Sequence, residues 1–511
     1  MSPISGIRRE GARSLSCAGA WTGTGDPLPA TTIRMSGDRI ASLEPCRGRT
    51  PRGFAIPSFV DAHCHLSWIG LQRMTLDLAG AGSASGMLDM VAAAERILPP
   101  GEILRAEKLD ESTWEQPVLP GLAELDAAAA GRPAIVRRVC GHLVMVSSAA
   151  MEGLPAGCPG LDRDTGIIRE GAALDMDALF PPSEVLLRDA LDAAGSAALS
   201  LGITAVQTME PWVVMEALAA RPCGVRVSAA VFHRDAPLLA AARRGGGSPW
   251  NTPSGGGPHL TLAGLKIFLD GALGAATAAV DGTYADGSRG ATLYDREGLA
   301  EAFREAAALG LSPLVHAIGA EALRLLDSVS SGLAASDPGI LRRGVRVEHA
   351  EELAPAWPGA WDPAVHRFSM QPNFVSRWQG PGGMYHGRLG AERADRLNPF
   401  GLVSRGGFAL GFGSDGMPFG PLEGLPGATA HPVPEYRLGV GEALRAYTLG
   451  AASISGLDDL AVALRPGRTA DLTVLDGDPF ALPWSEIGIL GTIRNGRVVF
   501  GPPDLLAEEE P

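Results

Sequence analysis

The chain has 511 residues, 46% of them hydrophobic and 20% charged, with a formal net charge of -14 and a pI near 5.2. That length allows a large core and more than one domain, and the composition excludes extended disorder. The acidic balance leaves no electrostatic footprint for nucleic acid, and no apolar stretch approaches the roughly 20 residues that span a bilayer.

The six cysteines, at positions 17, 46, 64, 140, 158 and 223, are few and scattered, as in a reducing compartment. Arg8-Arg9 is followed by Glu10, Gly11 and Arg13 rather than by an apolar export segment, so the expected location is cytoplasmic.

In chain order, the first signal is a hairpin. Thr31 to Met35 alternates, Gly37-Asp38 turns, and Arg39 to Leu43 alternates again. The C-terminus carries a matching set: Ala470 to Leu475 reads as a strand, and two further runs flank Asn495-Gly496, a strong two-residue hairpin signal. Strands at both ends predict that residues 1–54 and 463–511 pair into one small β-sandwich domain.

Next comes an apolar run, Phe54 to Val60, read as one buried strand and followed by Asp61-Ala62-His63-Cys64-His65. Alternation sends His63 and His65 to one side and Cys64 to the other, so two imidazoles can grip one metal ion. Taken alone, a His-x-His pair is more often two unrelated histidines.

From residue 67 to 201 the chain makes an excursion too long for a simple crossover. It has helical patterns at Gly86–Ile97, Gly121–Ala130 and Ser183–Ser200 and an apolar strand run at Ala134–Val146. This predicts an α/β insertion placed to roof an active-site mouth. Seven more strand-like runs follow, at Ile203–Met209, Val225–Phe232, Ala263–Leu269, Pro313–Ala317, Gly344–Val347, Arg367–Gln371 and Phe408–Gly413. Helical stretches at Trp212–Ala219, Arg296–Leu309 and Ala320–Ser328 separate some of them. Eight β-α units predict a (β/α)8 TIM-like barrel over 55–66 and 202–462, with catalytic groups at the C-terminal ends of its strands.

Those ends carry His63 and His65, Thr208 and Glu210, His233, Lys266 and Asp270, His316, His349, Gln371 and Asn373, and Asp415. Each has an ordinary explanation: His316 as a hydrogen-bonded core histidine, Asp415 as a turn cap, Lys266 as a snorkelling lysine. Their coincidence at one structural level is the specific signal.

At this point the chain resembles the amidohydrolase superfamily, and within it amidohydrolase family 3, the branch of N-substituted formamide deformylase-like enzymes. The resemblance rests on Pro57 to His65, Arg137 to His142, Leu265 to Gly274, Val315 to Gly319, Arg346 to Ala350, Gly413 to Asp415 and Leu464 to Leu475. It implies a site for two divalent metal ions. His63, His65 and Asp415 would hold the more buried ion and His316 and His349 the more exposed one, with Lys266 carbamylated by CO2 and bridging both. A cationic lysine beside two such ions is disfavoured, whereas a carbamate offers one oxygen to each. Asp270, on the same strand face as Lys266, is the alternative ligand. Zinc is the default ion, with manganese or iron as alternatives.

The implied reaction is hydrolysis of a carbon–nitrogen bond in a small-molecule substrate, such as a formamide, another non-peptide amide or a cyclic amide. A hydroxide bridging ions ~3.5–4 Å apart attacks, and Asp415 serves as base and then acid. His142, from the insertion, is a candidate to bind substrate or steady the oxyanion, against a purely structural role. His233, Gln371, Asn373, Arg377 and Trp378 lie on loops expected to shape the pocket.

The chain departs from the branch pattern at Cys140, at Ala276 and at Ala320-Glu321, where charged residues are usual. Substrates of relatives therefore do not transfer directly. Gly411 to Gly416 matches a dinucleotide-binding glycine pattern, but Pro418 and Pro421 follow where a helix is needed, and no nucleophile-elbow serine is present. The rival readings are non-hydrolytic chemistry, such as decarboxylation or isomerisation, at the same metals, and a non-catalytic binding protein. Dimers are the commonest assembly, which makes a homodimer the default.

Overall fold

A computed structural model describes residues 12–47, 51–111, 114–138, 143–169, 176–245, 249–251, 259–357, 359–457 and 463–508. The chain divides into two compact units, Ser67–Ala193 and the remainder.

In the larger unit, eight parallel strands form one sheet: β1 (Phe59–Cys64), β2 (Ile203–Glu210), β3 (Arg226–Phe232), β4 (Leu260–Phe268), β5 (Ser312–Ala317), β6 (Val345–His349), β7 (His366–Met370) and β8 (Ala409–Phe412). They lie in sequence order from β1 to β8, the near-closed arrangement of a TIM-like barrel. Every residue of β1 and of β2 is buried, as expected for strands covered on both faces. The helix Arg296–Ala308 shows how the outer layer is specified. Asp295 caps it by accepting from the Gly298 amide at 2.8 Å, and Leu299, Ala302, Phe303 and Ala306 form its buried stripe.

The run Phe54–Val60, expected as a single strand, is two. Phe54–Pro57 pairs antiparallel with Leu472–Leu475, while β1 pairs in parallel with β2. Pro57 has no N–H to give to a ladder, and Ser58 bonds the Asp471 carbonyl and the Thr204 hydroxyl at the break. Phe54–Pro57 thus belongs to a five-stranded sheet with Gly19–Ala20, Leu472–Leu475, Ile489–Arg494 and Arg497–Phe500.

A four-stranded sheet joins Ala12–Cys17, Thr31–Ser36, Arg39–Pro45 and Ala507–Glu508. The two sheets share one apolar cluster that includes Leu15, Ile33, Met35, Leu472, Val474 and Ile493. Both expected hairpins form, and Asn495 and Gly496 have φ of 52° and 69°, as the tight turn requires.

The smaller unit has a six-stranded mixed sheet with its own apolar core around Met87, Val91, Leu125 and Val136. The run Ala134–Val146, expected as one strand, is an antiparallel pair, Ala134–Arg138 with Leu143–Val146. His142 and Cys140 lie outside the described residues.

Candidate metal centre

His63 and His65 stand at the mouth end of β1, and hydrogen bonds fix which nitrogen each presents. His63 Nδ1 lies 2.6 Å from Glu348 Oε2, and His65 Nδ1 lies 2.8 Å from the Met209 carbonyl. A carboxylate and a carbonyl both demand a proton from Nδ1, so each ring turns the lone pair of Nε2 the other way. Those Nε2 atoms lie 3.6 Å and 3.2 Å from the same atom, Asp415 Oδ1. The three residues bring ligand atoms within 4.8 Å of one another.

Lys266, on β4, is fully buried with Nζ 3.5 Å from His63 Nε2. Burial pushes its pKa down to about 8, against the pull of Glu348 and Asp415. Burial, seconded by Lys266, also holds His63 well below the ordinary imidazole value and His316 at about 4, which favours the neutral form that binds metals. Burial alone would raise Asp415, but its contact with His65 and the charge of Lys266 outweigh it and hold the carboxylate below its ordinary value.

His316 and His349 lie beside this cluster. Their ring centroids are 4.4 Å apart, and that of His349 is 4.7 Å from His63. His316 Nε2 is engaged by the Gly271 carbonyl at 2.9 Å. His349 Nδ1 is buried and has no hydrogen-bond partner among the described residues. Leaving such an atom unpaired costs about 1–3 kcal/mol, which a ligand at that nitrogen would relieve. His349, Ala350 and Asp415 have φ of 70°, 51° and 53°, strained values for residues with a side chain that concentrate here at the mouth.

Asp61 clamps the first and last strands together. Its Oδ1 accepts from the His63 and Ser414 amides at 3.0 Å and 3.1 Å, and its Oδ2 accepts from Ser414 Oγ at 2.5 Å. The Asp415 amide in turn donates to the His63 carbonyl at 2.7 Å. A Cβ at Gly413 would stand 2.3 Å from His63 N, so only glycine allows β8 this close to β1.

The remaining expected residues divide. Asn373 donates to the Ser414 and Met417 carbonyls, both at 2.8 Å, and so holds the loop that carries Asp415. Gln371 is fully buried, with both amide atoms unpartnered among the described residues. Arg377 is exposed, and Trp378 is half-buried with its ring 4.7 Å from Phe374.

His233, expected to face substrate, has both nitrogens taken, by Tyr294 Oη at 2.7 Å and Glu305 Oε2 at 2.8 Å. It sits in a short 3-10 turn, His233–Asp235, past the end of β3, where strand alternation no longer aims it. Asp270, the alternative ligand, accepts from the backbone amides of Ile318, Gly319 and Ala279 at 2.9–3.0 Å, which occupies both oxygens.

Glu348, Arg346 and Asp61 were not singled out from sequence. The available signal was charge at alternate positions of a buried strand: Arg346 and Glu348 share a face of β6, and Arg346 Nε donates to Glu348 Oε1.

Comparison with known proteins agrees with this architecture. The model of the amidohydrolase family matches residues 53–500. A Bacillus subtilis (strain 168) protein named as an amidohydrolase, YtcJ, is 29% identical over 500 residues, covering 87% of this chain and 88% of its own length. The N-substituted formamide deformylase of Arthrobacter pascens is 24% identical over 541 residues, covering 96% of this chain and 95% of its own. The crystal structure of an uncharacterized metal-dependent hydrolase from Pyrococcus horikoshii OT3 shares the fold, with a TM-score of 0.78 at 23% identity over 93% of this chain and 99% of that one. The chain belongs to the amidohydrolase family, and with it to the enzymes that hydrolyse carbon–nitrogen bonds other than peptide bonds.

Proposed function

We propose that this enzyme hydrolyses N-substituted formamides and related non-peptide amides with two divalent ions, zinc by default. His63, His65 and Asp415 would hold one ion and His316 and His349 the other, with Lys266, as a carbamate, supplying an anionic ligand. The observation that carries this reading is the common aim of His63 and His65 at Asp415 Oδ1, each ring locked by its Nδ1 bond. Imidazole nitrogens with a carboxylate suit a borderline divalent ion, and the orphaned His349 Nδ1 fits a site built to meet one. At a pKa of about 8, Lys266 holds more free amine at neutral pH than an exposed lysine does, and free amine is the form that takes up CO2. The choice of formamides draws support from the relative named for that activity.

Ions so held supply Lewis acidity to the substrate carbonyl and to the attacking water. The chain's own residues handle the proton. Asp415, ionised and with Oδ1 turned to His65, accepts it at Oδ2 and returns it to the leaving nitrogen. Asn373 and Asp61 hold that carboxylate in place through the Ser414–Met417 loop. Gln371, with a buried and unpartnered amide, offers the substrate amide a donor and an acceptor.

Stripping and reloading the enzyme tests the proposal. Amine release from N-alkylformamides disappears with a chelator and returns with zinc, and the formate formed in labelled water carries one labelled oxygen. Activity indifferent to chelation, or unlabelled formate, contradicts it.

A further inference from the structure

The metal ligands gather at the C-terminal ends of the barrel strands, and the opposite end of the barrel holds a cavity of about 430 Å3. Ser312 opens β5, and Arg346 and Arg367 are the second residues of β6 and β7. These three line the cavity together with Gln207 from β2, Arg343 and Ile454. Its volume is that of a small-molecule site.

Its charge runs against that of the chain. The net charge is -14, yet three arginines line this cavity and, among the described residues, no carboxylate does. Arg346 is buried and its charge is met by Glu348. Arg343 is exposed and Arg367 half-buried, and neither forms an ion pair among the described residues. Backbone contacts hold the two together. Arg367 Nη1 donates to the Arg343 carbonyl at 2.7 Å, and Ser312 Oγ donates to the same carbonyl at 3.2 Å. The cationic field extends to Arg243, whose pKa is lowered by burial first and by the charge of Arg343 second.

The wall also carries an unanswered acceptor. Gln207 is buried, and its Oε1 has no hydrogen-bond partner among the described residues. Such an atom is costly to leave unpaired, and a ligand hydroxyl would satisfy it. Two uncompensated guanidiniums call for a dianion. A phosphate monoester carries nearly two charges at neutral pH, and its oxygens match the donor fork of arginine.

We propose that this end of the barrel binds a small hydroxylated phosphate monoester, with its phosphate on Arg343 and Arg367 and a hydroxyl on Gln207 Oε1. The inference goes beyond the formamide reading and does not depend on it. Arg346 bonds Glu348 and Glu348 bonds His63, so one buried chain runs from this cavity to the candidate metal centre.

Calorimetry on the zinc-loaded enzyme tests the site with glycerol 3-phosphate, inorganic phosphate and glycerol. One glycerol 3-phosphate is expected to bind per chain, at least ~10-fold tighter than inorganic phosphate, with no binding of glycerol. Arg343→Gln and Arg367→Gln each weaken the ester ~10-fold or more, and Gln207→Leu removes its advantage over inorganic phosphate. Arg343 is exposed, so Arg343→Gln carries the test if Arg367→Gln does not fold.

No heat at millimolar ester, or binding that survives Arg343→Gln, overturns the inference. A chelated sample guards against phosphate on the zinc: binding that chelation abolishes and Arg343→Gln leaves intact belongs to the metal centre and overturns it too. Equal affinity for ester and inorganic phosphate, both lost in Arg343→Gln, supports the phosphate seat and overturns the ester.

Discussion

His63 Nδ1 and Glu348 Oε2 lie 2.6 Å apart, and neither side chain is exposed to solvent. Glu348 also accepts from Arg346 Nε, and Arg346 Nη2 donates to the Ala62 carbonyl at 2.9 Å. A buried guanidinium, a carboxylate and an imidazole therefore form one chain that ends on the Nε2 aimed at Asp415 Oδ1. Glu348→Gln keeps the shape and removes the charge, and is expected to weaken metal affinity ~10–100-fold, read by competition with a chromophoric chelator. Glu348→Ala leaves Arg346 buried without its partner and is expected to lose roughly 3–5 kcal/mol of stability as well.

Gly413 sits where the barrel closes. A Cβ there would fall 2.3 Å from His63 N and 2.7 Å from His63 Cβ, and β1 cannot retreat without taking the His63 ring with it. Gly413→Ala is expected to destabilise the fold by roughly 1–3 kcal/mol and to lower metal stoichiometry, measured by urea unfolding and metal analysis of the same preparation. An unchanged urea midpoint would show that the last strand is not held as tightly as described.

His431 gives the fold a pH dependence separate from the centre. Its Nδ1 accepts from the Val433 amide at 3.1 Å and its Nε2 faces the Leu397 carbonyl at 2.9 Å, so the neutral ring is satisfied where it is. Burial lowers its pKa from 6.5 to about 4. The unfolded chain then binds the proton more tightly, so the stabilisation is complete above pH 6.5 and is lost as pH falls from there toward about 4. The gap corresponds to about 3 kcal/mol at most. Urea unfolding of wild type and His431→Gln between pH 7.5 and pH 4.5 is expected to show a steeper loss in the wild type. Parallel curves would rule the residue out as a source of acid sensitivity.

The barrel was legible because largely apolar short runs such as β3, β4 and β8 recur along the chain, although β6 and β7 carry charged residues. The break at Ser58 was not, because Phe54 to Val60 is apolar but for Ser58, and only Pro57-Ser58 hints that the ladder changes partner. Likewise Ala134–Val146 reads as one strand although it folds back on itself. Within the site, His63, His65 and Asp415 were legible from their strand ends, and the geometry groups them.

The residues that orient them were harder to find. His63 and Glu348 are 285 positions apart, and Asp61 and Ser414 are 353 apart, so no local pattern pairs them. Alternation would also send Glu348 and His349 to opposite faces. The positive φ of His349 breaks that rule and lets both reach His63. His233 lies just past a strand end, where Tyr294 and the neighbouring helix's Glu305 take both its nitrogens.

Metal content is the most direct measure of the central claim. Elemental analysis of wild type and Lys266→Ala, prepared in parallel with zinc and bicarbonate present, is expected to give two ions per chain in the first and fewer in the second, with hydrolysis lost. A single ion per chain that Lys266→Ala leaves unchanged would contradict the bridged two-ion centre and reduce the site to His63, His65 and Asp415.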